Sequence, residues 1–247
     1  VYASLKSGNG YYRQLYLSNL FGASDQGTPN AGRHGSFRRG TIESTDPNLP
    51  PVWIEIYASI REANNVIANV PEITDIDESL KFRIVGEARF LRALNYFNLV
   101  RCFGEVPLRT EPVKPGEVGL PKSPIADIYK VIIDDLTYAA EYCWGFNEVR
   151  NGKVNNIGRV TKASAHALLA KVYLQIASSK RTASEGIAGN ARYNGMPGTF
   201  QSYYQLCKEQ CDKVLDQSNY KLVNSLVDWI SIFDARNGNN LEMLFEI

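Results

Sequence analysis

Residues 86–108 constrain the fold of this chain more than any other part of its sequence. Apolar residues recur there at helical spacing in two stripes, so we predict a long helix buried between two neighbours. The stripes comprise Ile84, Ala88, Leu91, Asn95, Leu99 and Cys102, and Phe90, Leu94 and Phe97. Gly104 fits the position just after a helix, where a left-handed backbone favours glycine, and Pro107 prevents the helix from restarting. The chain should therefore leave this helix in an extended conformation.

The composition excludes several classes of protein. Of the 247 residues, 44% are apolar, which is enough for a large core, and the net charge is only +1. This balance gives no electrostatic basis for nucleic-acid binding. The sequence contains no stretch of about 18 apolar residues, the length that a membrane span would need. Two isolated histidines and four cysteines without metal spacing predict no metal site and no cofactor. We interpret the cysteines as buried free thiols.

Helical periodicity predicts an all-α fold with minor strand content. The predicted helices cover residues 52–70, 77–103, 123–143, 161–178, 200–217 and 226–233. Ser123 and Thr161 are predicted N-caps, and Pro124 is placed at a first helical position. The second helix should pair with the third, and the fourth with the fifth. The result is a solenoid of tetratricopeptide-like helical pairs with long loop insertions.

Three long loop-rich stretches, 21–51, 145–158 and 179–199, are candidates for function. Sugar recognition needs a flat aromatic ring for stacking and planar amide or guanidinium groups for the hydroxyls, and the segment from 21 to 53 offers both. The candidate ligand-binding residues are Arg33, Phe37, Arg38, Asn48, Trp53 and Trp144. Core or cap packing is the alternative interpretation for the two tryptophans, and Trp229 is predicted to lie in the core.

Nothing in the sequence predicts an enzyme, because no motif for a catalytic nucleophile or for nucleotide binding occurs. Asp134 and Asp135 are adjacent on a helix and point in different directions, so we interpret them as solvent-facing rather than as a glycosidase pair. The acidic residues at 75–78 could bind calcium, but they lack EF-hand spacing and are interpreted as a helix-entry cap.

Several blocks together resemble the SusD/RagB family. They are WIEIYASIREANN at 53–65, GEARFLRA at 86–93, FGEVPL at 103–108, IIDDL at 132–136, GRVTK at 158–162, ALLAKVYL at 167–174 and LFEI at 244–247. The blocks at 86–108 and 158–174 are specific in combination, whereas each alone would be weak. The resemblance covers most of the chain, and it implies a mostly helical fold of tetratricopeptide-like pairs.

The resemblance also implies a function and a location. Residues 1–247 would form a single SusD-like helical domain that lacks an N-terminal lipid-anchor segment and a C-terminal portion. The protein would be lipid-anchored at the cell surface of the outer membrane. Its partner would be a SusC-like TonB-dependent transporter, and its ligand an oligosaccharide, or a peptide in some members. Part of the glycan site would precede the helix that begins near Trp53.

Two other functions remain open. A peptide-binding helical-repeat subunit would need a polar groove on the inner helices, for which Asn64, Asn65, Asn95 and Asn98 are the only indication. A helical glycoside hydrolase would need a carboxylate pair that the sequence does not indicate.

Overall fold

The structure of the chain, a computed structural model, describes residues 1–5, 11–12, 20, 24, 35–117, 119–146, 148–150, 152–154, 158–216, 220, 222, 224–232 and 244–245. Its helices are α1 (Tyr2–Leu5), α2 (Gly35–Arg39), α3 (Leu49–Asn69), α4 (Glu78–Phe103), α5 (Ile125–Tyr142), α6 (Lys162–Ser184), α7 (Phe200–Leu215) and α8 (Leu226–Ile232). Short 3₁₀ helices cover Val70–Glu72 and Ala188–Gly195, and β1 (Val149–Arg150) pairs antiparallel with β2 (Lys153–Val154). The predicted all-α class with minor strand content is confirmed.

Each long helix packs mainly against its neighbours along the chain. Helix α4 packs against α3 and α5, α5 packs against α6, and α6 packs along α7. The predicted pairs, α4 with α5 and α6 with α7, are therefore confirmed. This sequential stacking is typical of helical-repeat proteins, in which each unit buries its apolar surface against the next. No helix in the described part of the chain combines the length and apolar character that a membrane crossing requires.

Local capping explains why the helices begin where the sequence predicts. The Asp77 side chain accepts a hydrogen bond from the Leu80 amide, which confirms the helix-entry interpretation of this acidic segment. Thr161 forms a capping box with Ser164 and satisfies amides that the first turn leaves unpaired. One boundary differs slightly, since Pro124, rather than Ser123, is the N-cap of α5.

The stretch 179–199 is more helical than predicted. Helix α6 continues to Ser184, and a 3₁₀ helix covers Ala188–Gly195. The Thr182 hydroxyl donates to the Ser178 carbonyl, and Arg181 pairs with Glu185 one turn later at 3.1 Å. These polar side chains stabilise the end of the helix through contacts one turn apart. A search for apolar stripes does not detect such contacts.

Two expectations about burial are wrong for the described residues. Trp229 was expected in the core but is 53% exposed, because α8 is not among the helices that pack extensively in the stack. The cysteines are free as predicted, but only Cys143 is buried. Cys102 is exposed because it lies in the last turn of α4 beside an open pocket, and Cys211 is exposed on α7.

Helix α4 ends at a glycine that no other residue could replace without strain. Gly104 has a φ of 73° and a ψ of −125°, so the positive φ is confirmed although ψ differs from that of a left-handed helix. Its amide donates to the Val100 carbonyl. A Cβ atom added here would also overlap the guanidinium of Arg192. The chain then continues through the exit segment, which we define as residues 106–111.

A buried ion pair joins α4 to α5. The Arg92 guanidinium donates to both carboxylate oxygens of Asp135, at 2.7 and 2.8 Å, and both side chains are almost fully buried. Burial raises the pKa of the Asp135 carboxyl, and the guanidiniums of Arg92 and Arg89 oppose that rise. The expectation that Asp135 faces solvent is therefore wrong, whereas Asp134 is exposed and pairs with Lys130 at 2.6 Å.

The same arginine connects these helices to α3 and to the exit segment. Arg92 Nη1 donates to Asn64 Oδ1 and to the Thr110 carbonyl, both at 2.8 Å. The Asn64 amide in turn donates to the carbonyls of Arg109 and Glu111. Pro107 forms an isolated antiparallel bridge with Lys122, and the Val106 carbonyl accepts from the Ser123 amide. From Arg109 to Glu111, side chains of the helices satisfy the backbone carbonyls.

Two tyrosines complete this attachment of the exit segment. The Tyr57 hydroxyl donates to the Pro107 carbonyl at 2.7 Å. The Tyr96 hydroxyl donates to the Arg109 carbonyl at 2.8 Å and accepts from the Arg109 amide at 2.7 Å. Burial raises the pKa of Tyr96 to about 12, so its hydroxyl remains a donor at any physiological pH. The helices therefore hold the exit segment at several successive backbone groups.

A second buried cluster surrounds Glu87. Its carboxylate pairs with Arg83 and Arg159, each at 2.8 Å, and accepts from the Tyr2 hydroxyl at 2.9 Å. The Tyr2 hydroxyl also accepts from the Val160 amide. This cluster joins the first helix and the entry to α6 to the centre of α4.

We expect Gly104→Ala to lower the free energy of unfolding by about 1–3 kcal/mol, because an alanine is strained at this φ and ψ. Urea denaturation of the full-length protein would measure it. Gly119→Ala is the control, since its φ is not positive and its Cβ would meet nothing within 4 Å. In the Gly104→Ala variant, a second substitution, Arg192→Ala, should recover only the part of the lost stability that comes from overlap with the Arg192 guanidinium. Equal stability of Gly104→Ala and the control would contradict the strain.

Asp135→Ala should cost about 3–5 kcal/mol of unfolding free energy, because it leaves the buried Arg92 guanidinium without its carboxylate. The adjacent Asp134→Ala is a matched control and should change stability by less than about 0.5 kcal/mol, since its pair with Lys130 is exposed. Chemical denaturation of both variants gives the comparison. Similar losses of unfolding free energy in the two variants would show that burial of the Arg92–Asp135 pair does not make it more important for stability than the exposed pair.

Candidate functional site

The candidate site is a groove between α3 and the exit segment. It has a volume of about 400 Å³, and we call it the Trp53 groove. Its lining residues are Trp53, Ile54, Tyr57, Ala58, Ile60, Arg61, Asn64, Arg109, Glu111 and Val113. Trp53, Tyr57, Arg61 and Asn64 are spaced by three or four residues and therefore lie on one face of α3. The groove exists because the contacts described above hold residues 107–111 beside that face.

The apolar end of the groove is aromatic. The half-buried Trp53 ring packs against Tyr57 with centroids 5.0 Å apart, and against the edge of Phe103 at 5.1 Å. Packing on two sides fixes the orientation of the indole while part of its surface stays accessible. Beside it, Ile54 is 63% exposed. The result is an apolar platform of the kind that can stack against a flat, weakly polar face.

The other end of the groove is polar. The Arg61 side chain is 59% exposed and pairs with Glu62 at 2.9 Å, while Arg109 pairs with Glu117 at 2.7 Å. Glu111 is also exposed at this rim. Guanidinium and carboxylate groups form several directed hydrogen bonds in one plane, which suits a ligand with many hydroxyls.

The groove has the chemistry of a binding site. Among its described lining residues, Glu111 alone carries a carboxylate, whereas glycoside hydrolysis usually uses two carboxyl groups on opposite sides of the bond. Burial raises the pKa of Tyr57, so its hydroxyl stays protonated and occupied with Pro107. The described residues contain no group of three or more histidine, cysteine or acidic side chains that could hold a metal ion.

The structure separates the residues that the sequence proposed as a site. Trp53 lines the groove, and Arg38 is exposed in the last turn of α2. Phe37 is 7% exposed and Asn48 is 8% exposed. The Asn48 amide groups donate to the Asp46 carboxylate, which also accepts from Ser36. Arg33 lies outside the described residues.

Trp144 lies in the interior. It is 1% exposed, and the Arg83 guanidinium covers its ring at 4.5 Å from the centroid. The ring therefore has no face open to a ligand in this structure, which agrees with the packing interpretation. A tryptophan just after a helix end gives no sequence signal that separates these two roles.

Sequence reasoning did not select Tyr57, Arg61, Arg109 and Glu111. The first two follow Trp53 at helical spacing, so a search for polar residues on the Trp53 face of α3 would have found Arg61. Arg109 and Glu111 reach the groove only because Tyr96 and Asn64 bind their backbone. No local pattern predicts that contact.

The comparison with protein families identifies the chain. Residues 9–174 match the model of a SusD-like family described as "Starch-binding associating with outer membrane". This match covers more than half of the chain, so the chain belongs to the SusD-like family, as the sequence blocks predicted. The proteins of this family bind carbohydrate, are non-catalytic and associate with the outer membrane.

Individual relatives agree with this assignment. SusD-like protein P2 of Formosa agariphila is 31% identical over 203 residues, which is 78% of this chain and 38% of that protein. A SusD-like protein of Bacteroides ovatus is 27% identical over 82% of this chain and 33% of its own length. The chain thus spans about a third of the length of these curated relatives.

Solved structures share the fold. A laminarin-binding SusD-like protein matches with a TM-score of 0.73 and 26% identity, over 100% of this chain and 50% of its own. A protein crystallised with a xylogluco-oligosaccharide matches with a TM-score of 0.74 and 25% identity, over 95% of this chain and 42% of its own. These similarities confirm the predicted tetratricopeptide-like helical fold.

Proposed function

We propose that this chain is part of a cell-surface protein that binds an oligosaccharide or polysaccharide and delivers it to a TonB-dependent outer-membrane transporter. The observation that carries the proposal is the Trp53 groove, which combines an aromatic platform and a polar rim on a SusD-like fold. The proposal is supported by two solved relatives, one named as laminarin-binding and one crystallised with a xylogluco-oligosaccharide.

In this proposal a sugar ring stacks on the accessible part of Trp53. The apolar face of a pyranose is flat, so it replaces water on the indole at little cost in polar contacts. Arg61, Arg109 and Glu111 then bind the hydroxyls at the edge of the ring. These planar groups at fixed positions orient the sugar ring, and its contact with the indole contributes most of the affinity.

Of the residues that the sequence proposed, Trp53 and Arg38 have exposed surface that could contact a glycan in this structure. Phe37, Asn48 and Trp144 are buried, so they do not enter the proposed contacts, and Arg33 remains a sequence-based prediction.

The partner and the location are also part of the proposal. Family membership supports a SusC-like TonB-dependent transporter as the partner that receives the glycan. It also supports attachment to the outer membrane through a lipid anchor, with the protein on the cell surface. No cofactor or metal is needed for binding of this kind.

Three of the four inner asparagines named for a peptide-binding groove give that alternative no support. Asn64 binds the exit segment and Arg92. The Asn95 amide donates to the Ser59 hydroxyl and to the Leu91 carbonyl, and the Asn98 amide donates to the hydroxyls of Tyr11 and Tyr12. These three side chains are buried and bind other groups of the fold, so they do not form a surface for an extended peptide.

Trp53→Ala should weaken glycan binding by about tenfold or more, which corresponds to ~1.4 kcal/mol. Affinity electrophoresis of the full-length protein against a panel of neutral polysaccharides, including laminarin and xyloglucan, would measure it. Phe82→Ala is the matched aromatic control, because Phe82 is 41% exposed and packs on Tyr142 away from the groove.

Trp53→Ala also removes packing against Tyr57 and Phe103, so a thermal melt must accompany the measurement. Arg61→Gln gives an independent test, since this exposed side chain can be changed without disturbing the core. Loss of binding in both variants at retained folding would support the groove. Unchanged migration of both variants in a gel that retards the wild type would place the glycan elsewhere.

A further inference from the structure

A second pocket opens at the end of α4, where Phe103 is one of its lining residues. It has a volume of about 380 Å³, and we call it the arginine pocket. Its polar lining comes from Arg101, Gln175, Asn190, Arg192 and Tyr193. These residues belong to α4, α6 and the 3₁₀ helix at Ala188–Gly195, so they meet only because α6 packs against that 3₁₀ helix.

The described lining of this pocket carries positive charge and no carboxylate. Arg101 is held in place by the Asn98 side-chain oxygen at 2.6 Å and by the Phe97 ring, 4.4 Å from the guanidinium carbon to the centroid. Arg192 is exposed and forms no hydrogen bond or ion pair with the residues that the structure describes. Glu105, the acidic residue nearest to Arg101 along the chain, is exposed and does not line the pocket.

Gly104 gives Arg192 its position. The guanidinium of Arg192 occupies the space that a side chain at position 104 would fill. It therefore lies directly over the end of α4, in the same pocket as Arg101. Two guanidiniums around one pocket, with no carboxylate among its described lining residues, form a site for an anion, because each carries several N–H donors suited to carboxylate or sulfate oxygens.

The arginine pocket adjoins the Trp53 groove. Phe103 lines the pocket, Trp53 lines the groove, and the two rings are in edge contact at 5.1 Å. This ring contact therefore links a residue that lines one cavity to a residue that lines the other. A glycan of a few residues that stacks on Trp53 is long enough to extend past Phe103 and place a substituent in the pocket.

We propose that the arginine pocket binds an anionic substituent of the glycan, so that the preferred ligand is an acidic polysaccharide. The substituent is either the carboxylate of a uronic acid or a sulfate ester, since both present planar or tripodal oxygens to a guanidinium. This inference rests on the proposed glycan-binding function and adds the charge of the substrate. The neutral part of the ligand stacks in the Trp53 groove, and Arg101 and Arg192 select the charged part.

The test compares polysaccharides that differ only in charge, using the full-length protein and isothermal titration calorimetry. Polygalacturonate is paired with its methyl ester, and a sulfated galactan with its desulfated form. The wild type should bind at least one acidic form about tenfold more tightly than its neutral counterpart. That preference should decrease as the salt concentration rises, because the interaction is electrostatic. The pair that shows the preference identifies the substituent.

Arg192→Gln should abolish the preference for the acidic form and leave binding of the neutral form unchanged. Lys208→Gln is a control of equal charge change, because Lys208 is exposed on α7 and pairs with Asp212. Arg192 has no described hydrogen-bonding partner, so the substitution should not affect folding, and a thermal melt checks this.

The outcomes separate this inference from the proposed function. Binding of neutral glycans without any preference for acidic forms would overturn the acidic-ligand inference and leave the Trp53 groove as the site. Binding of polyglutamate but of no acidic glycan would assign the pocket to an acidic peptide and would also overturn the inference. If no glycan of either charge binds, the proposed function fails, and the inference fails with it.

Discussion

The buried pair between Arg92 and Asp135 is the interaction on which the rest of this structure depends. It joins α4 to α5, and the remaining donors of the same guanidinium reach Asn64 on α3 and the Thr110 carbonyl. Taking both charges out of water is costly, and a buried pair often adds little net stability compared with apolar residues. Its value here is geometric. A bidentate pair with two further bonds admits one relative arrangement of three helices and one path for the exit segment.

The site follows from that arrangement. Without the exit segment and the residues that follow it, the aromatic face of α3 would be an open helix surface. These residues supply Arg109, Glu111 and Val113 as the opposite wall. The segment leaves α4 through Gly104, whose positive φ turns the chain back toward α3. The same glycine leaves room for Arg192 at the arginine pocket. One helix end therefore shapes both cavities, and the contact between Trp53 and Phe103 links their linings.

The sequence predicted what is determined locally. Thr161 and Asp77 cap their helices by contacts within three residues, and apolar spacing located the long helices and their pairing. The sequence did not predict that Asp135 is buried. The partner of this carboxylate is 43 residues away along the chain, and its environment depends on how three helices meet. The candidate site shows the same difference between local features and contacts of residues far apart in the sequence. Trp53 was identified because its chemistry is visible in the sequence, whereas Arg109 and Glu111 reach the groove through hydrogen bonds to their backbone. Phe37 and Asn48 have residue types suited to a ligand, but folding buries them.

The attachment of Arg109 has a consequence for the thermodynamics of ligand capture. Its amide and carbonyl both bind the hydroxyl of Tyr96, which is fully buried in the core. Opening this wall of the groove therefore requires breaking two hydrogen bonds to a side chain of the core. A ligand that enters meets a wall that is already ordered, and association loses little conformational entropy on the protein side. In the function proposed above, such a wall would hold a sugar chain with few contacts and release it without refolding any part of the binding surface.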